Sequence, residues 1–253
     1  MTPEPFRLDG HVAIVTGGSR GLGSAMSLAL AEAGADIACV SRTPPAPEQY
    51  RQLEALGRTL RHFPCDLSHA GERAGLVDRI VDVMGHVEIL LNNAGLTARH
   101  PPEDYPLAHL QTMLGVHIEA AFDLSQQVAR HMLPAGYGKI INVGSVMSHQ
   151  GGFNIPAYAI AKHGLAGLTK SLCNAWAASG INVNCICPGY MVTDLSGPLM
   201  NDPVRGPQIL DRIPAGRWGQ PQELGGLCVF LASRASSYMH GSIIDIDGGW
   251  LAR

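Results

Sequence analysis

The chain has 253 residues, of which 46% are hydrophobic and 15% charged, and its 18 basic and 21 acidic residues give a formal net charge of −3. A nearly neutral balance is not typical of a nucleic-acid binder, which carries a clustered basic excess, and no apolar run reaches the roughly 18 residues of a membrane span. With 30 glycines and 17 prolines but no repeat period, collagen-like and solenoid folds are not expected either.

Strand-like and helix-like segments alternate from one end of the chain to the other. Seven apolar runs rich in β-branched residues predict strands, at residues 11–16, 36–41, 59–63, 87–92, 139–144, 181–187 and 242–247. Segments rich in alanine and leucine predict helices between them, among others at residues 21–33, 70–84, 116–133 and 158–178. Because the strands are apolar on both faces, we expect helices to cover both sides of a parallel sheet.

The predicted fold class is therefore α/β. We expect residues 1–253 to form a single doubly wound Rossmann-type domain, with a parallel seven-stranded sheet and helices on both faces. The segment of residues 190–220 is rich in glycine and proline and interrupts the alternation. Long loops of this kind often bind ligands, so we predict a mobile substrate loop there.

The spacing of cysteines and histidines gives no sign of a metal site or a disulfide framework. The six cysteines include no Cys-x-x-Cys pair, and Cys39, Cys185 and Cys187 lie in strand-like runs, where a free thiol behaves as a small apolar group. The eleven histidines include no His-x-x-x-His pair, so no metal site is expected. The amino-terminal segment lacks an apolar signal core, and a reducing cytoplasmic location is expected.

A glycine-rich turn joins the first predicted strand to the first predicted helix. Glycines let the backbone turn sharply and approach a pyrophosphate, and the N–H groups at the start of the helix favour an anion. The spacing, Gly-x-x-x-Gly-x-Gly, differs from the common Rossmann fingerprint, and an ordinary tight turn is the alternative interpretation. We predict a dinucleotide site formed by Gly17, Ser19, Arg20, Gly21, Leu22 and Gly23.

The end of the second predicted strand indicates which dinucleotide binds. An NAD enzyme would place Asp or Glu there for the adenosine ribose, whereas this chain has Ser41 and Arg42. A guanidinium pairs well with a 2′-phosphate, and Arg20 could reach the same group, so NADP(H) is preferred and NAD(H) is the alternative. Both arginines could instead be solvated. Asp66, followed by Leu67, comes after the third strand, where its carboxylate could accept the adenine amino group or cap the next helix.

Three further residues have the chemistry of a proton-transfer site. Tyr158 and Lys162 are one helical turn apart, so the phenol and the ammonium lie on the same face of a helix. Ser145 follows the fifth predicted strand directly, and ligands of open α/β sheets bind at the carboxyl ends of strands. By themselves, the positions of Ser145, Tyr158 and Lys162 suggest a catalytic group but do not establish one.

These motifs, taken with Asn92-Asn93-Ala94-Gly95 and with Pro188-Gly189 followed by Thr193, occur in one order along the chain. In order and spacing they resemble the motifs of the short-chain dehydrogenase/reductase family, over nearly the whole sequence. The resemblance implies an NAD(P)-dependent oxidoreductase that interconverts a secondary alcohol and a ketone by hydride transfer.

The resemblance also implies a role for each matched residue. Tyr158 would be the general acid in carbonyl reduction, its pKa lowered by Lys162 and by the oxidised nicotinamide. Lys162 would also hold the nicotinamide ribose, and Ser145 would bind the substrate oxygen. Thr193 could instead only cap a helix. The remaining matched residues would contact the dinucleotide: Asn93, Ala94 and Gly95 beside the adenosine ribose, and Pro188, Gly189 and Thr193 beside the nicotinamide carboxamide.

One position departs from the family pattern. The family usually has an asparagine in the helix after the fourth strand, where it supports a water relay to the lysine, and this chain has His117 there. One hypothesis is that His117 takes over part of the relay, because an imidazole can shuttle protons near neutral pH. The alternative is a satisfied interior histidine.

The carboxyl-terminal part resembles a narrower group within the family. Residues 148–152, 212–219 and 247–253 are similar to the 2-dehydro-3-deoxy-D-gluconate and gluconate 5-dehydrogenases, which implies a small keto or hydroxy sugar acid as substrate. Its carboxylate needs a cation and its hydroxyls need polar partners. The candidate substrate residues are Arg99, His149, Gln150 and Arg217, although the segment around Arg217 could be structural. The similarity to this group favours NAD, whereas Arg42 favours NADP, and we give the local chemistry more weight.

Two other functions stay open. One is a reductase of a 3-oxoacyl group on a carrier protein, or of another carbonyl such as a steroid, which would need a long apolar groove. The other is a non-catalytic nucleotide-sensing protein on the same scaffold, which typically lacks the tyrosine or the lysine. The expected partner is a small-molecule substrate, with no nucleic acid and no membrane. The resemblance implies a homotetramer, with which an apolar carboxyl terminus containing Trp250 is compatible.

Overall fold

The computed structural model describes residues 2–253, and a seven-stranded sheet lies at its centre. All strand pairs are parallel, and the strand order is β3-β2-β1-β4-β5-β6-β7. The predicted α/β fold with a parallel seven-stranded sheet is confirmed. The strands are β1 (Val12–Thr16), β2 (Asp36–Ser41), β3 (Leu60–Pro64), β4 (Ile89–Asn92), β5 (Gly138–Val143), β6 (Ile181–Pro188) and β7 (Ile243–Ile246).

Helices connect the strands and cover the sheet. The α-helices of the described residues are α1 (Gly21–Glu32), α2 (Pro47–Ala55), α3 (Ala70–Arg73), α4 (Leu76–Met84), α5 (Leu107–Leu114), α6 (Ala120–Ala135), α7 (Pro156–Trp176), α8 (Gly197–Met200), α9 (Arg205–Arg212) and α10 (Gly225–Ala232). Short 3-10 turns lie at Glu4–Phe6, Pro102–Asp104, Val146–Ser148, Ala177–Ser179, Pro221–Leu224, Arg234–Ser236 and Trp250–Ala252.

Successive strand residues point to opposite faces of the sheet, and each face has its own apolar core. On one face, Ala13 and Val15 of β1 pack with side chains of α1, α2 and α10. On the other face, Ile14 packs with side chains of α4, α6 and α7. Because both faces are covered at the centre of the sheet, β1 and β4 are buried along their whole length, whereas the edge strands β3 and β7 are partly exposed.

The structure differs from the predicted helices in three places. The predicted helix at residues 70–84 is interrupted by Gly75, whose φ of +63° is left-handed, so α3 and α4 are separate. A π-helical segment, Gly115–Glu119, joins α5 to α6 and contains His117. Residues 190–220, predicted as a loop, contain the short helices α8 and α9.

The sheet places a ligand site where its strand order reverses. Strand β1 pairs with β2 on one side and with β4 on the other, so the connections after β1 and β4 diverge and leave a crevice at the carboxyl ends. Within residues 2–253, no helix combines the length and the apolar character needed to cross a membrane.

Candidate active site

The predicted site residues meet in one cleft at the carboxyl ends of the strands. The cleft has a volume of about 820 Å³, which is within the range typical of small-molecule and cofactor sites. Ser145, Tyr158, Lys162, His117 and Arg99 line it. So does every residue predicted to bind the dinucleotide, namely Gly17, Ser19, Arg20, Gly21, Leu22, Gly23, Ser41, Arg42, Asp66, Leu67, Asn93, Ala94, Gly95, Tyr158, Lys162, Pro188, Gly189 and Thr193.

The glycine loop is packed too closely at Gly23 to hold a side chain there. A Cβ atom on Gly23 would lie 2.2 Å from the carbonyl oxygen of Gly17. Gly17 itself has a left-handed φ of +65°, which favours glycine. Helix α1 begins at Gly21, and the side chain of the preceding Arg20 makes no capping bond to its first turn. The N–H groups of this turn therefore remain available to an anion at the cleft.

A threonine at the end of β1 fastens the glycine loop to the segment after β4. Thr16 Oγ1 accepts hydrogen bonds from the backbone N–H groups of Asn93 at 2.9 Å and Ala94 at 3.0 Å, and donates to the Leu91 carbonyl at 3.3 Å. In return, Asn93 Nδ2 donates to the Thr16 carbonyl at 2.9 Å. These bonds fix the two walls of the predicted dinucleotide site relative to each other.

The end of β2 presents a cation to the cleft. The Arg42 side chain is 73% exposed, and its Nη1 lies 3.9 Å from Asp66 Oδ2, too far for a hydrogen bond. The Ser41 hydroxyl donates to the Thr43 carbonyl at 2.8 Å and turns the chain away from the sheet. The Arg42 guanidinium is thus available for a phosphate, whereas no carboxylate stands at the end of β2.

Asp66 closes a turn after β3. Its Oδ1 accepts hydrogen bonds from the Ser68 backbone N–H at 2.9 Å and from the Ser68 hydroxyl at 2.7 Å, and these bonds lower the pKa of the Asp66 carboxyl. The residue before α3 is His69, so Asp66 does not cap that helix directly. Asp66 and Leu67 both line the cleft.

The catalytic group is assembled from the end of β5 and the first turns of α7. Ser145 Oγ accepts a hydrogen bond from the Met147 backbone N–H at 3.2 Å, which leaves the hydroxyl proton able to donate. The Ser145 hydroxyl lies near enough to the Tyr158 phenol to lower its pKa. Lys162 Nζ lies 5.4 Å from the centroid of the Tyr158 ring and donates to the Val143 carbonyl at 2.6 Å.

Burial dominates the pKa values of this group. It raises the pKa of Tyr158, and the neighbouring Ser145 hydroxyl only partly opposes this rise. Burial also lowers the pKa of Lys162 to about 8. We expected Lys162 to lower the pKa of Tyr158. In the protein chain without a nucleotide the pKa is raised instead, because desolvation of the phenolate is the largest effect.

His117 lies beside the catalytic tyrosine but is held by backbone. Its Nε2 is 3.1 Å from the Leu96 backbone nitrogen and 2.9 Å from the Leu96 carbonyl oxygen, and its ring meets that of Tyr158 edge-on at 5.6 Å. Burial and the charge of Lys162 lower the pKa of His117 to about 3. The His117 ring therefore stays uncharged near neutral pH, whereas a proton shuttle through an imidazolium would require it to become charged. This placement favours an interior histidine, whose Nε2 is held by Leu96 and whose buried Nδ1 has no hydrogen-bond partner among the described residues.

The substrate end of the cleft carries positive charge. Arg99 lines the cleft, and its Nη1 donates to the Phe153 carbonyl at 3.3 Å, while the Arg205 guanidinium lies 5.7 Å from the Phe153 ring centroid. Burial and the neighbouring charge of Arg205 lower the pKa of Arg99. Within residues 2–253, neither arginine forms an ion pair. An anion bound here would offset both the desolvation of Arg99 and its repulsion by Arg205.

An aromatic cluster supports the segment of residues 190–220. The Tyr190 ring packs against Trp218 at 5.3 Å and Trp250 at 4.6 Å between centroids, and the Arg212 guanidinium stacks 3.9 Å from the Trp250 ring. Trp250 is buried by these contacts within the chain. The tryptophan is therefore not the exposed apolar surface that our sequence argument for a tetramer assumed.

Three predicted substrate residues lie outside the cleft. His149 Nε2 pairs with Asp245 Oδ1 at 2.9 Å on β7, and Gln150 Oε1 accepts a hydrogen bond from Arg212 at 3.3 Å. Arg217 forms a bidentate ion pair with Glu223 at 2.7 and 2.8 Å. The turn after Ser145 carries His149 and Gln150 away from the cleft, which corrects the expectation that they line the pocket with Arg99, and the pairing of Arg217 with Glu223 favours the structural alternative for that residue.

Comparison with known proteins adds relatives that match along almost the whole chain. Residues 17–251 match a family model described as enoyl-(acyl carrier protein) reductase. The chain is 46% identical over 252 residues to 2-dehydro-3-deoxy-D-gluconate 5-dehydrogenase of Bacillus subtilis, covering 99% of this chain and 98% of that one. This chain belongs to the short-chain dehydrogenase/reductase family. It is an NAD(P)-dependent oxidoreductase.

Two solved structures are similar to this dehydrogenase/reductase. Gluconate 5-dehydrogenase from Burkholderia cenocepacia, in complex with NADP and tartrate, is 36% identical with a TM-score of 0.93, and the match covers 99% of this chain and 98% of that one. A protein from Agrobacterium tumefaciens with bound NADP is 41% identical with a TM-score of 0.92, over 99% and 100% of the two chains.

Sequence reasoning about this dehydrogenase/reductase did not point to Gln49, which supports the glycine loop from behind the cleft, or to Tyr190. The Gln49 side chain is buried and donates to the Gly18 carbonyl at 2.9 Å, which supports the glycine loop from α2. Nothing in the sequence around Gln49 distinguishes it from a surface residue. Tyr190 lines the cleft, and its position next to Pro188-Gly189 was a usable signal.

Proposed function

We propose that this short-chain dehydrogenase/reductase interconverts a secondary alcohol and a ketone on a small sugar acid, with NADP(H) preferred and NAD(H) as the alternative. The observation that carries the proposal is that Ser145, Tyr158 and Lys162 share one cleft with the glycine loop. The names of the relatives, 2-dehydro-3-deoxy-D-gluconate 5-dehydrogenase and gluconate 5-dehydrogenase, support the substrate class.

The residues around the glycine loop fit a dinucleotide. The close approach of Gly23 to Gly17 leaves backbone rather than side chains at the position of a pyrophosphate, and the first turn of α1 has N–H groups to bind it. Arg42, aided by Arg20, would hold the 2′-phosphate of NADP. Asp66 and Leu67 would contact the adenine. The bound NADP in two similar structures supports the preference.

The catalytic group would act on the carbonyl oxygen of the substrate. The Ser145 hydroxyl would donate a hydrogen bond to that oxygen and stabilise the negative charge that develops on it. Tyr158, whose raised pKa keeps the phenol protonated at neutral pH, would donate the proton in reduction and accept it in oxidation. The nicotinamide, when bound, supplies or accepts the hydride. Lys162, anchored on the Val143 carbonyl, would hold the nicotinamide ribose with its remaining N–H groups.

His117 would act as a positioning residue rather than as a proton shuttle. Its hydrogen bonding to Leu96 supports the segment of Asn93, Ala94 and Gly95, and a Cβ atom on Gly95 would lie 2.5 Å from the His117 ring. The ring and this segment are therefore packed together. Replacing the ring would shift one wall of the dinucleotide site before it changed any proton transfer.

The substrate carboxylate would bind at Arg99. This guanidinium lines the cleft near a second cation and has no paired carboxylate among the described residues, so an anionic group there would be stabilised. We further propose that residues 1–253 act as one catalytic domain and that residues 190–220, with α8 and α9, close over the substrate.

The proposal is tested by nucleotide-linked turnover with a substrate panel. Purified enzyme would be assayed with NADPH and NADH against 5-keto-D-gluconate and 3-oxoacyl thioesters, and with NADP⁺ and NAD⁺ against 2-dehydro-3-deoxy-D-gluconate. We expect turnover of a sugar acid, and a decrease of about 10²- to 10⁴-fold in Tyr158→Phe with nucleotide affinity retained.

Other results of that assay would contradict the proposal. Faster turnover of the thioesters would favour the carrier-bound 3-oxoacyl reductase. Tight nucleotide binding with no turnover of any carbonyl would favour the non-catalytic nucleotide sensor. Equal activity of the wild type and Tyr158→Phe would exclude the phenol as the proton donor.

A homotetramer in the cytoplasm completes the proposal. Phe122 on α6 and Ile160 on α7 are 42% and 53% exposed, and apolar side chains exposed on two long helices are typical of a subunit contact. All six cysteines are free thiols, which is compatible with a reducing compartment. Sedimentation of the purified enzyme would give the number of subunits.

A further inference from the structure

A cluster of three metal-binding side chains lies next to the active site but outside the cleft. It consists of His149, Cys187 and Asp245, and we call it the β6–β7 cluster. Cys187 and Asp245 are paired neighbours on strands β6 and β7, so their side chains point to the same face of the sheet. His149 reaches them from the turn that begins at Ser145.

The geometry of the β6–β7 cluster is close to that of a zinc site. The thiol sulfur, an imidazole nitrogen and a carboxylate oxygen all lie within 4.8 Å of one another, and His149 Nε2 is 2.9 Å from Asp245 Oδ1. With metal–ligand bonds of 2.0–2.3 Å, ligand atoms around tetrahedral zinc are roughly 3.3–3.8 Å apart. The three ligand atoms are thus already near the separations that a zinc ion requires.

The composition and exposure of the cluster also suit a metal ion. Thiolate, imidazole and carboxylate together are typical zinc ligands, whereas magnesium and calcium prefer oxygen alone. Cys187 is fully buried, but the side chains of His149 and Asp245 are 35% and 36% exposed. An ion could enter from the solvent on the histidine and carboxylate side, and water could occupy its fourth position.

We propose that Cys187, His149 and Asp245 form a binding site for a zinc-like divalent transition-metal ion. Binding there joins the turn after the catalytic serine to the ends of β6 and β7. Cys187 directly precedes Pro188 and Gly189 of the cleft, and His149 follows the Val146–Ser148 turn that Ser145 begins. The ion therefore stabilises the folded chain at the edge of the active site. It plays no part in the hydride transfer proposed above, so the two proposals can fail separately.

Cobalt spectroscopy tests the site directly. Tag-free, metal-free enzyme would be titrated with Co²⁺, which gives a near-ultraviolet thiolate charge-transfer band only when a cysteine sulfur is a ligand. We expect the band in the wild type and its loss in Cys187→Ser. The control is Cys173→Ser, which replaces a half-buried cysteine outside the cluster and should retain the band. Zn²⁺ should displace Co²⁺ and abolish the band. It should also raise the melting temperature of the wild type and of Cys173→Ser by several degrees, but not that of Cys187→Ser.

Two further variants keep the test decisive if Cys187→Ser does not fold. His149→Asn and Asp245→Asn alter partly exposed side chains, and each should weaken Co²⁺ binding at least about tenfold because each removes one of three protein ligands. The absence of a thiolate band in folded wild type would overturn the proposal. So would a band that survives Cys187→Ser, or unchanged Co²⁺ affinity in both His149→Asn and Asp245→Asn.

Discussion

At the nucleotide end of the cleft the backbone forms the site, whereas at the substrate end side chains from distant segments form it. Gly17 and Gly23 lie in one short run, and what matters there is the absence of a side chain. Arg99 and Tyr190 are far apart in sequence, and each contributes its own charge or ring. The backbone-built end can be recognised from local spacing, while the other end depends on how segments pack.

At the nucleotide end, the choice between NADP and NAD should depend on the Arg42 side chain. We expect its replacement to have a larger effect than the replacement of Arg99 or of His117. In Arg42→Ala the ratio of kcat/KM with NADPH to that with NADH should fall about 10- to 100-fold, because a charge-assisted contact to the 2′-phosphate is lost. Arg51→Ala is a matched control, since Arg51 pairs with Glu48 on α2 and does not line the cleft. An unchanged ratio in Arg42→Ala would assign the dinucleotide choice to other residues.

At the substrate end, two arginines predicted together should now behave differently. Arg99→Ala should raise KM for a keto sugar acid about tenfold with a smaller change in kcat, because Arg99 faces the cleft. Arg217→Ala should leave KM unchanged, because Arg217 pairs with Glu223 outside the cleft. Steady-state kinetics of both variants measure the difference. A larger KM effect at Arg217 would contradict the placement of the carboxylate.

His117 lies between the two ends, and its replacement should have the smallest effect, on stability in acid. The pKa of His117 is about 3 in the folded chain, below the ordinary 6.5, so below about pH 6.5 the unfolded chain binds a proton that the folded chain does not. Stability is therefore lost as the pH falls from 6.5 towards 3.

Urea unfolding at pH 7 and pH 5 measures this effect. Between these two pH values the wild type should lose about 1–2 kcal/mol more free energy of unfolding than His117→Asn. His163→Asn, which alters an exposed histidine of α7, is the control and should lose as much as the wild type. Equal losses in wild type and His117→Asn would mean that the ring is accessible to protons in the folded state.

The sequence predicted the strands better than the helices, for physical reasons. Strands buried on both faces are nearly continuous apolar runs, and β1 and β4 were recognisable by that alone. The division between α3 and α4 depends on a left-handed φ at Gly75, and a glycine within a helical pattern does not by itself show that it adopts one. The π-helical segment around His117 is likewise set by packing rather than by a sequence pattern.

The residues of the active site were also predictable only where they follow a local sequence pattern. The glycine loop and the pair of Tyr158 and Lys162 have fixed local spacing, and the structure brings them together in one cleft. The direction of the turn after Ser145 has no such signature, and it carries His149 away from the cleft to Asp245, on a strand nearly a hundred residues later. A contact over that separation depends on the strand order.

The hydrogen bonds of Thr16 have a consequence for how the protein acquires its cofactor during synthesis. Thr16 and Asn93 meet only after β4 has paired with β1, and the two residues are separated by 77 positions in the sequence. Such long-range contacts form late because the entropy of closing the loop is lost before the contact is gained. A nascent chain that ends before β4 has its glycines but no second wall, and added nucleotide does not assist its folding.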